Sequence, residues 1–406
     1  MFKTVFSIAY KNAFLRKSRA LLLVLMIGLS MGVMVGLEGL YDGMSLHMID
    51  KSIRSDSGEI SLYAPQYRLE NDIRYRIKDA GKKVAQLEKV PGVKIALYRL
   101  QVDGLAQTAT KSRPSKVVGI DLNREKIFGK FSEFLKEGNL DFGKNGAFIG
   151  SELANKLKLK IGSKVIFTAQ DSQLNIQSIA LRVRAIIQTT NLSLDEMGIY
   201  LPRDRVATFL GLDPQSATQI ALRSDGENDP LLKKRIQKLF PDLKVYTFVE
   251  LYPQLKQMQS MMDIFNAITF GIVMIVVFIG ILGVMYVSIL DRIREFGILL
   301  SIGYAYRYIR FQILMEAVIL GLAGYLLGAL LGFLLLSYLQ IYGLDLGAFA
   351  EGLESFGMES TIYATMKASY FVSTFFAILL ASFFSVILPL RRLKKLNPVE
   401  VIRDAQ

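Results

Sequence analysis

Few residues in this sequence could support catalysis or bind a metal. The chain of 406 residues contains no cysteine and one histidine, His47. Without thiolates there can be no cysteine-ligated zinc, no iron–sulfur cluster and no cysteine nucleophile. One histidine is a poor basis for a metal site or a Ser-His-Asp triad, and we interpret His47 as a solvated or packed side chain. We therefore expect this chain to bind no metal and no cofactor.

One segment has the spacing of a phosphate-binding loop. Residues 138–145 read Gly-Asn-Leu-Asp-Phe-Gly-Lys-Asn, which matches GxxxxGK but ends in asparagine where a serine or threonine would bind magnesium. The segment is also predicted below to lie on the side of the membrane without ATP. We expect no nucleotide site here, and no enzymatic activity in the chain itself.

Two carboxylates interrupt long apolar runs. Glu38 is the only charged residue between Ala20 and Tyr41, and Glu316 the only one between Phe311 and Gln340. Ionisable residues inside membrane segments are by default candidates for functional sites. These two are expected near opposite ends of their helices, far from each other, where each can reach an interface. Interfacial or helix-packing roles are favoured over proton transfer.

Four apolar runs are long enough to cross a bilayer, which takes about 20 residues. They cover residues 20–41, 264–290, 311–340 and 368–390. The first is longer than the apolar part of a signal peptide, so we interpret it as an uncleaved anchor. The composition, 51% hydrophobic but 21% charged, then averages membrane helices and a soluble domain. The predicted fold class is membrane α-helical, with four transmembrane helices and a large mixed α+β domain between helices 1 and 2.

Lysine and arginine predict the orientation of these helices. They are concentrated in residues 1–19, in the loop 291–310 and in the tail 391–406, whereas the short loop 341–367 is acidic. We expect both termini and the loop 291–310 to be cytoplasmic, and residues 42–263 and 341–367 to lie outside. The net charge of +13 is then largely a topology signal, and no nucleic-acid partner is expected. The basic excess left on residues 42–263 fits either a solvated surface or a docking surface for an acidic protein.

The large segment 42–263 alternates between strand and helix patterns. Short apolar alternations bounded by turn residues predict strands, and apolar positions three or four apart predict helices. The result is a mixed α+β domain, expected in two subdomains. The predicted strands are 58–64, 93–102, 115–121, 164–169, 179–187, 198–201, 217–222 and 243–248, and the predicted helices are 71–87, 151–159, 203–210 and 230–239. Residues 249–263 continue at helical spacing into the second span.

Small residues recur every fourth position in three spans, which lets helix backbones approach closely in lipid. The predicted packing stripes are Gly28, Gly32 and Gly36; Gly324, Gly328 and Gly332; and Ser373, Ala377, Ala381 and Ser385. They fit either contacts within the chain or contacts between two protomers.

The loop 291–310 contains a charged segment followed by a short amphipathic helix. Its apolar face is predicted to contain Phe296, Ile298, Leu299 and Ile302. Such a face on a loop requires a docked partner or the membrane interface.

At this loop the chain resembles the permeases of the MacB/FtsX/LolE class of ABC transporters. Residues 291–303 read D-R-I-R-E-F-G-I-L-L-S-I-G, close to the family pattern E-R-x-x-E-[IF]-G-x-L-x-x-[IL]-G, with Asp291 in place of glutamate. Phe311 and Glu316 match the start of the family's third helix. Further matches are Pro389 at the end of the fourth helix and the segments 90–93 (VPGV), 148–162 and 396–403 (LNPVEVIR). The stretch 57–67 (SGEISLYAPQY) is most similar to the lipoprotein-releasing LolC/LolE type.

The resemblance implies a permease of the bacterial inner membrane, with a periplasmic domain. A separate cytoplasmic ATPase dimer, using ATP and magnesium, would dock on the loop after the second helix. The residues implied in this coupling are Arg292, Arg294, Glu295, Phe296, Gly297, Ile298, Leu299 and Gly303. A second permease chain, identical or paralogous, would complete a cavity for a lipoprotein that passes to a periplasmic carrier. The lining residues predicted for it are Met34, Leu37, Leu40, Met44, Met261, Phe265 and Ile268.

Two alternatives stay open. One is MacB-like export of a drug or peptide, and the other is an FtsX-like transducer that controls a periplasmic hydrolase without transport. All three would share the coupling loop.

Overall fold

The structure is a computed structural model that describes residues 2–189, 191–224, 230–347 and 361–394. The chain forms two compact units. The membrane unit comprises Met1–Ser45, Gln259–Leu346 and Thr361–Gln406, and the inserted unit comprises Leu46–Met258 and Gly347–Ser360.

The helices are named in chain order. They are α1 Phe2–Leu15, α2 Lys17–Ser52, α3 Tyr67–Glu70, α4 Ala80–Leu87, α5 Leu122–Phe128, α6 Ser151–Leu157, α7 Leu192–Met197, α8 Arg203–Phe209, α9 Pro230–Leu239, α10 Phe248–Leu251, α11 Pro253–Asp291, α12 Ile293–Ser301, α13 Tyr306–Tyr342, α14 Ala368–Ser385 and α15 Ile387–Lys394. A π-helical turn, Ile53–Ser57, follows α2, and a 3-10 turn, Phe131–Phe134, precedes β4.

The strands are named in the same way. They are β1 Ile60–Tyr63, β2 Val93–Gln107, β3 Ser112–Ile120, β4 Leu135–Gly138, β5 Gly146–Gly150, β6 Lys164–Gln170, β7 Ile176–Ile187, β8 Gly198–Pro202, β9 Gln219–Ser224, β10 Lys244–Thr247, β11 Leu344–Asp345 and β12 Thr361–Ile362.

Four described helices are long and apolar enough to cross a membrane: α2, α11, α13 and α14, the last with its continuation to Arg391. Each contains one of the predicted apolar runs, but α2 and α11 extend well beyond them. The fourth helix differs from its prediction, because α14 ends at Ser385 and Pro389 lies in the first turn of α15. A proline is tolerated there because the first-turn amides have no partner within the helix.

The glycine stripes of α2 and α13 face each other. A Cβ built on Gly28 would lie 2.8 Å from Leu327 Cδ2, and one built on Gly328 would lie 2.7 Å from Met31 Cβ. The same reciprocal contact recurs one turn along, between Gly32 and Leu331 and between Gly332 and Val35. The two helices are therefore interlocked, and these two predicted stripes pack within one chain.

The third predicted stripe is only partly correct. Ser373 is exposed on α14, and the buried positions of that helix include Thr374, Ile378 and Ala381. A Cβ on Gly321 of α13 would meet the side chains of Ser382 and Ile378. The packing face of α14 is therefore centred one residue further along the chain.

The glycine contact gives a stability prediction. Gly328→Leu should lower the melting temperature of the full chain in detergent, because overpacking a tight contact costs about 1–3 kcal/mol. Gly283→Leu is the matched control, since nothing lies within 4 Å of a Cβ built at Gly283 in α11. Equal melting temperatures for the two variants would contradict the interlocked packing.

Ten described strands of the inserted unit form one sheet with the order β10-β1-β9-β2-β3-β8-β5-β7-β4, and β6 pairs with β2 and β7. Most pairs are antiparallel, while β3–β8 and β5–β7 are parallel. The long strand β2 runs through both halves of the sheet. It pairs with β9 over Val93–Arg99 and with β3 over Leu100–Gln107.

Each half of this sheet has its own apolar core. One half packs β1, β9 and β10 against α4 and α9, with Ile60, Leu222 and Ile236 buried. The other half packs β5–β8 against α6 and α8, with Leu153, Val183 and Val206 buried. The mixed α+β class predicted for this segment is therefore correct.

The predicted helix 71–87 is half wrong. Helix α4 begins only at Ala80, after Asn71 and Asp79 adopt left-handed backbone conformations. Ile77, which suggested helical periodicity, instead forms a β-bridge with Ala217.

A buried ion pair stabilises the inserted unit near the end of α2. Arg99 of β2 is 2% exposed and donates two hydrogen bonds to the Glu125 carboxylate, at 2.6 and 2.8 Å. Burial alone would lower the pKa of the Arg99 guanidinium, but Glu125 and Asp56 raise it above its ordinary value. Arg99 also donates to the backbone oxygen of Asp56, in the π-helical turn. It therefore holds the end of that turn against β2 and α5.

Arg99→Met should destabilise the inserted unit by about 3–5 kcal/mol, because it leaves the Glu125 carboxylate buried without a counterion. Removing both charges with R99M/E125L should restore most of that loss. Arg124→Met is the control, since Arg124 is 41% exposed in its pair with Glu88 and such pairs contribute about 1 kcal/mol at most. Thermal unfolding of the full chain, with proteolysis of the inserted unit as a second readout, tests the order of the three variants.

Candidate functional site

Helix α12 and its two ends form the site that the sequence singled out. Backbone hydrogen bonds define the end of the helix: Gly303 N donates to Leu300 O at 3.1 Å, and Tyr304 N to Leu299 O at 2.9 Å. Gly303 has a φ of 88°, the left-handed conformation that this Schellman ending requires. Gly303, one of the residues implied in coupling, therefore ends α12 and turns the chain towards α13.

The prediction of a single apolar face on α12 is wrong, because its apolar residues lie on two different sides of the helix. Phe296 is 1% exposed and belongs to the core of the membrane unit, with Leu299 packed beside it. Ile298 and Ile302 are 47% and 73% exposed, on the side away from that core. Phe296 therefore fastens α12 to its own chain, and two isoleucines remain on the exposed surface.

The exposed surface of α12 also carries charge. Arg294 is exposed, and the Glu295 side chain is 66% exposed. Together with Ile298 and Ile302 they form what we call the α12 outer surface. This combination of apolar and charged side chains is typical of a protein-binding patch.

Arg292, between α11 and α12, joins three elements of the membrane unit. Its Nη1 donates to Glu316 Oε2 of α13 at 3.2 Å, and its Nε donates to Glu295 Oε2 of α12 at 3.2 Å. The guanidinium also lies 5.0 Å from the centre of the Phe296 ring. With its side chain 16% exposed, Arg292 is well placed to hold α12 in a fixed position.

Glu316 is one of the two carboxylates for which an interfacial or helix-packing role was expected, but its partner was not predicted. It is 3% exposed and accepts a hydrogen bond from Ser288 Oγ at 3.3 Å as well as the one from Arg292. Of the two roles expected for it, the contacts favour helix packing, because the Glu316 carboxylate of α13 is held by Ser288 of α11 and by Arg292. Its partner is 24 residues away in sequence, and the only available signal was an acidic residue in an apolar helix.

Asp291 ties the start of the site to the N-terminal segment. Arg16 and Arg19, on either side of the start of α2, both hydrogen bond to its Oδ2. The Asp291 carboxylate therefore has two guanidinium partners.

At the other end of the membrane unit, α2 meets the segment before α14. Asp42 accepts a hydrogen bond from Tyr370 Oη at 2.6 Å and pairs with Lys367. Thr365 N donates to Gly39 O at 2.9 Å. Glu38, one turn before Asp42, is 7% exposed, so this carboxylate is enclosed by protein as well.

The residues predicted to line a cargo cavity have different environments. Met261, Phe265 and Ile268 of α11 are 52%, 60% and 53% exposed. Of the four on α2, Met34 is fully buried within its own unit, whereas Leu37, Leu40 and Met44 are partly exposed. The exposed stripe of α11 is thus available to lipid, cargo or another chain, and Met34 is not.

The segment with phosphate-loop spacing does not have a phosphate-loop fold. Residues 138–145 connect β4 to β5, so a strand follows where a phosphate loop needs a helix. Asn145 is hydrogen bonded by the Arg205 side chain at 2.6 Å. The C-terminal motif at residues 396–403 lies outside the described residues.

Two family models match the chain. The one described as MacB-like periplasmic core domain matches residues 20–239, and the one described as FtsX-like permease C-terminal matches residues 267–398.

An uncharacterized ABC transporter permease of Methanocaldococcus jannaschii is similar over nearly its full length: 22% identity, covering 98% of this chain and 97% of that protein. The macrolide export ATP-binding/permease protein MacB of Haemophilus ducreyi is 26% identical, over 60% of this chain and 34% of its own length. The chain thus spans about a third of that MacB protein. Among solved structures, the periplasmic region of MacB from Actinobacillus actinomycetemcomitans matches with a TM-score of 0.34 at 14% identity, covering 50% of this chain and 95% of that one.

Proposed function

The chain belongs to the MacB/FtsX-like family of ABC transporter permeases, and from this we propose that it transmits the work of a separate cytoplasmic ATPase to a lipoprotein cargo outside the membrane. The family implies an ATPase partner. The chain's own contribution is then mechanical: it receives a displacement at one end of the membrane unit and passes it along its helices.

The observation that carries this proposal is the position of Arg292. Its hydrogen bonds to Glu295 and Glu316 connect α12 to α13. Arg292 also directly follows α11 in the chain, so α12 is connected to both long helices. A protein bound to the α12 outer surface would push on both long helices at once. The proposed ATPase contacts are therefore Arg294, Glu295, Ile298 and Ile302, with Phe296, Gly297, Leu299 and Gly303 holding the helix in shape.

We assign this end of the membrane unit to the cytoplasm. Lysines and arginines in residues 1–19 and 291–310 support the assignment, since positive loops stay on the cytoplasmic side. Residues 42–263 would then be periplasmic, in a bacterial inner membrane.

The lipoprotein proposal rests on the exposed stripe of α11. Met261, Phe265 and Ile268 offer flexible and aromatic apolar surface that suits acyl chains. In a dimer of permease chains, this stripe and the partly exposed Leu37, Leu40 and Met44 would face a shared cavity. Extracting acyl chains costs about 0.8 kcal/mol per CH₂, which explains a need for ATP, and a periplasmic carrier would receive them.

A second candidate is export of a small amphiphile. The observation in its favour is the similarity to macrolide export proteins over 60% of this chain. Its cargo would use the same apolar stripe, so the two candidates differ in the size of the cargo and in the carrier.

Reconstitution with the cognate ATPase distinguishes these functions. Proteoliposomes would contain a fluorescent triacylated lipoprotein, and ATP-dependent release to a soluble carrier would be measured. The lipoprotein proposal requires release that stops with a hydrolysis-deficient ATPase. Macrolide transport without lipoprotein release would instead establish the second candidate, and ATP hydrolysis with neither would indicate a transducer that controls a periplasmic hydrolase.

A further inference from the structure

A cavity of about 240 Å³ opens beside the coupling site, within the membrane unit. It lies among α1, the start of α2, the end of α11 and α13. Its lining residues are Asn12, Ala13, Leu15, Arg16, Arg19, Ala20, Val284, Met285, Ser288, Arg292, Glu295, Glu316 and Leu320.

The charged groups at this cavity form two paired clusters. In the first, Arg16 and Arg19 share a single carboxylate, Asp291, so the cluster has one more cation than anion. In the second, Arg292 is shared between two carboxylates, Glu295 and Glu316, so the cluster has one more anion than cation. The cavity is therefore lined by charges of both signs and is not a uniformly basic patch.

The arginine cluster still has hydrogen-bonding capacity. The side chains of Arg16 and Arg19 are 52% and 42% exposed, and each guanidinium has five N–H donors, of which Asp291 uses few. The planar arrangement of guanidinium donors matches a phosphate group well. In the second cluster, the Glu295 side chain is 66% exposed and can accept a hydrogen bond from an ammonium.

The rest of the wall is apolar. Ala20, Val284 and Leu320 line it together with Met285, on helices that run into the apolar part of the membrane unit. The polar lining lies where the apolar run of α2 begins, at Ala20, and where that of α11 ends, at Leu290. This is the depth at which lipid headgroups meet acyl chains.

We propose that the cavity binds one zwitterionic aminophospholipid, with its phosphate on Arg16 and Arg19, its ammonium beside Glu295 and an acyl chain along Val284 and Leu320. Lining charges of both signs select a headgroup that carries both signs, and the exposed Glu295 carboxylate favours a primary ammonium, which can donate hydrogen bonds to it. Basic pockets between membrane helices on the cytoplasmic side are known to hold lipid headgroups. An inorganic phosphate ion could bind Arg16 and Arg19 in the same way, but it would make no contact with the apolar wall or with Glu295.

The test uses the full chain alone, so its outcome does not depend on the proposed transport function. The chain is purified from nanodiscs of phosphatidylcholine doped equally with phosphatidylethanolamine and phosphatidylglycerol, and retained lipid is counted by native mass spectrometry. We expect phosphatidylethanolamine to be retained at least fivefold over phosphatidylglycerol. R16Q/R19Q should abolish retention, and Glu295→Gln should abolish the preference.

K17Q/R294Q is the matched control, because it removes two positive charges near the same end of the unit from residues that do not line the cavity. Equal loss in this control and in R16Q/R19Q would overturn the proposal, as would retention of phosphatidylglycerol in preference. Val284→Phe fills the apolar side without changing charge and should reduce lipid retention severalfold. Unchanged retention in V284F, together with displacement of the headgroup by inorganic phosphate, would show a phosphate-ion site instead.

Discussion

Arg292→Gln should reduce the stimulation of the partner ATPase by tenfold or more while the chain still inserts into the membrane. The substitution removes the only cation found beside the buried Glu316 carboxylate in the described part of the chain, and breaking such a pair costs about 3–5 kcal/mol. Movement of α12 away from α13 would let water reach the unpaired Glu316 carboxylate. The same movement would disconnect the proposed ATPase-binding surface from α13. The measurement is ATP hydrolysis by the purified complex, with membrane insertion checked by extraction.

Arg310→Gln is the control for this experiment. It removes the same charge from residues 291–310, but Arg310 is exposed, lies in α13 and is not one of the proposed ATPase contacts. The double variant R292Q/E316Q, which leaves neither charge, should recover part of the stimulation lost in R292Q. If R292Q and R310Q reduced stimulation equally, the loss of a positive charge at this end of the membrane unit and not the loss of the Arg292–Glu316 pair would be the cause.

Gly297→Pro should also uncouple the ATPase, and the effect should be as large as that of R292Q. Gly297 lies in the middle of α12 and is buried beside Phe296. Proline there removes a backbone donor and clashes with the preceding turn, at a cost of about 3 kcal/mol. Adding Glu295→Ala should deepen the defect, because it removes one of the two carboxylates that hold Arg292.

The readout for G297P is again ATPase stimulation, combined with copurification of the ATPase. Gly297→Ala keeps the backbone N–H and a helix-favouring residue, so it should retain most of the stimulation. Wild-type stimulation in G297P would remove the assignment of α12 as the coupling helix.

The sequence was sufficient to predict the elements that depend on local pattern. Apolar runs located α2, α11, α13 and α14, and period-four glycines located the packing faces of α2 and α13, though not the pairing of these two faces with each other. The predicted helix 230–239 agrees with α9, Pro230–Leu239. In each case the residues that carry the signal are close together in the chain.

Partnerships between distant residues could not be predicted. Glu316 was recognised as unusual, but its pairing with Arg292 depends on how α12 folds back towards α13. The first part of the helix predicted over residues 71–87 is wrong for a similar reason, because Ile77 is buried through a bridge to Ala217 and not by helical packing. A periodic apolar pattern reports burial but not which distant element provides it.

The interlocked glycines of α2 and α13 have a consequence for movement. Each glycine notch on one helix holds a side chain of the other, and the notches repeat every four residues along both. Sliding by one or two residues would drive those side chains into backbone, and the next matching position is four residues away, about 6 Å along the axis. The packing of α2 against α13 therefore resists small displacements of one helix along the axis of the other. Helix α11 is less interlocked: a Cβ at Gly271 or Gly283 would touch nothing within 4 Å, although one at Gly280 would meet the side chain of Met26 in α2.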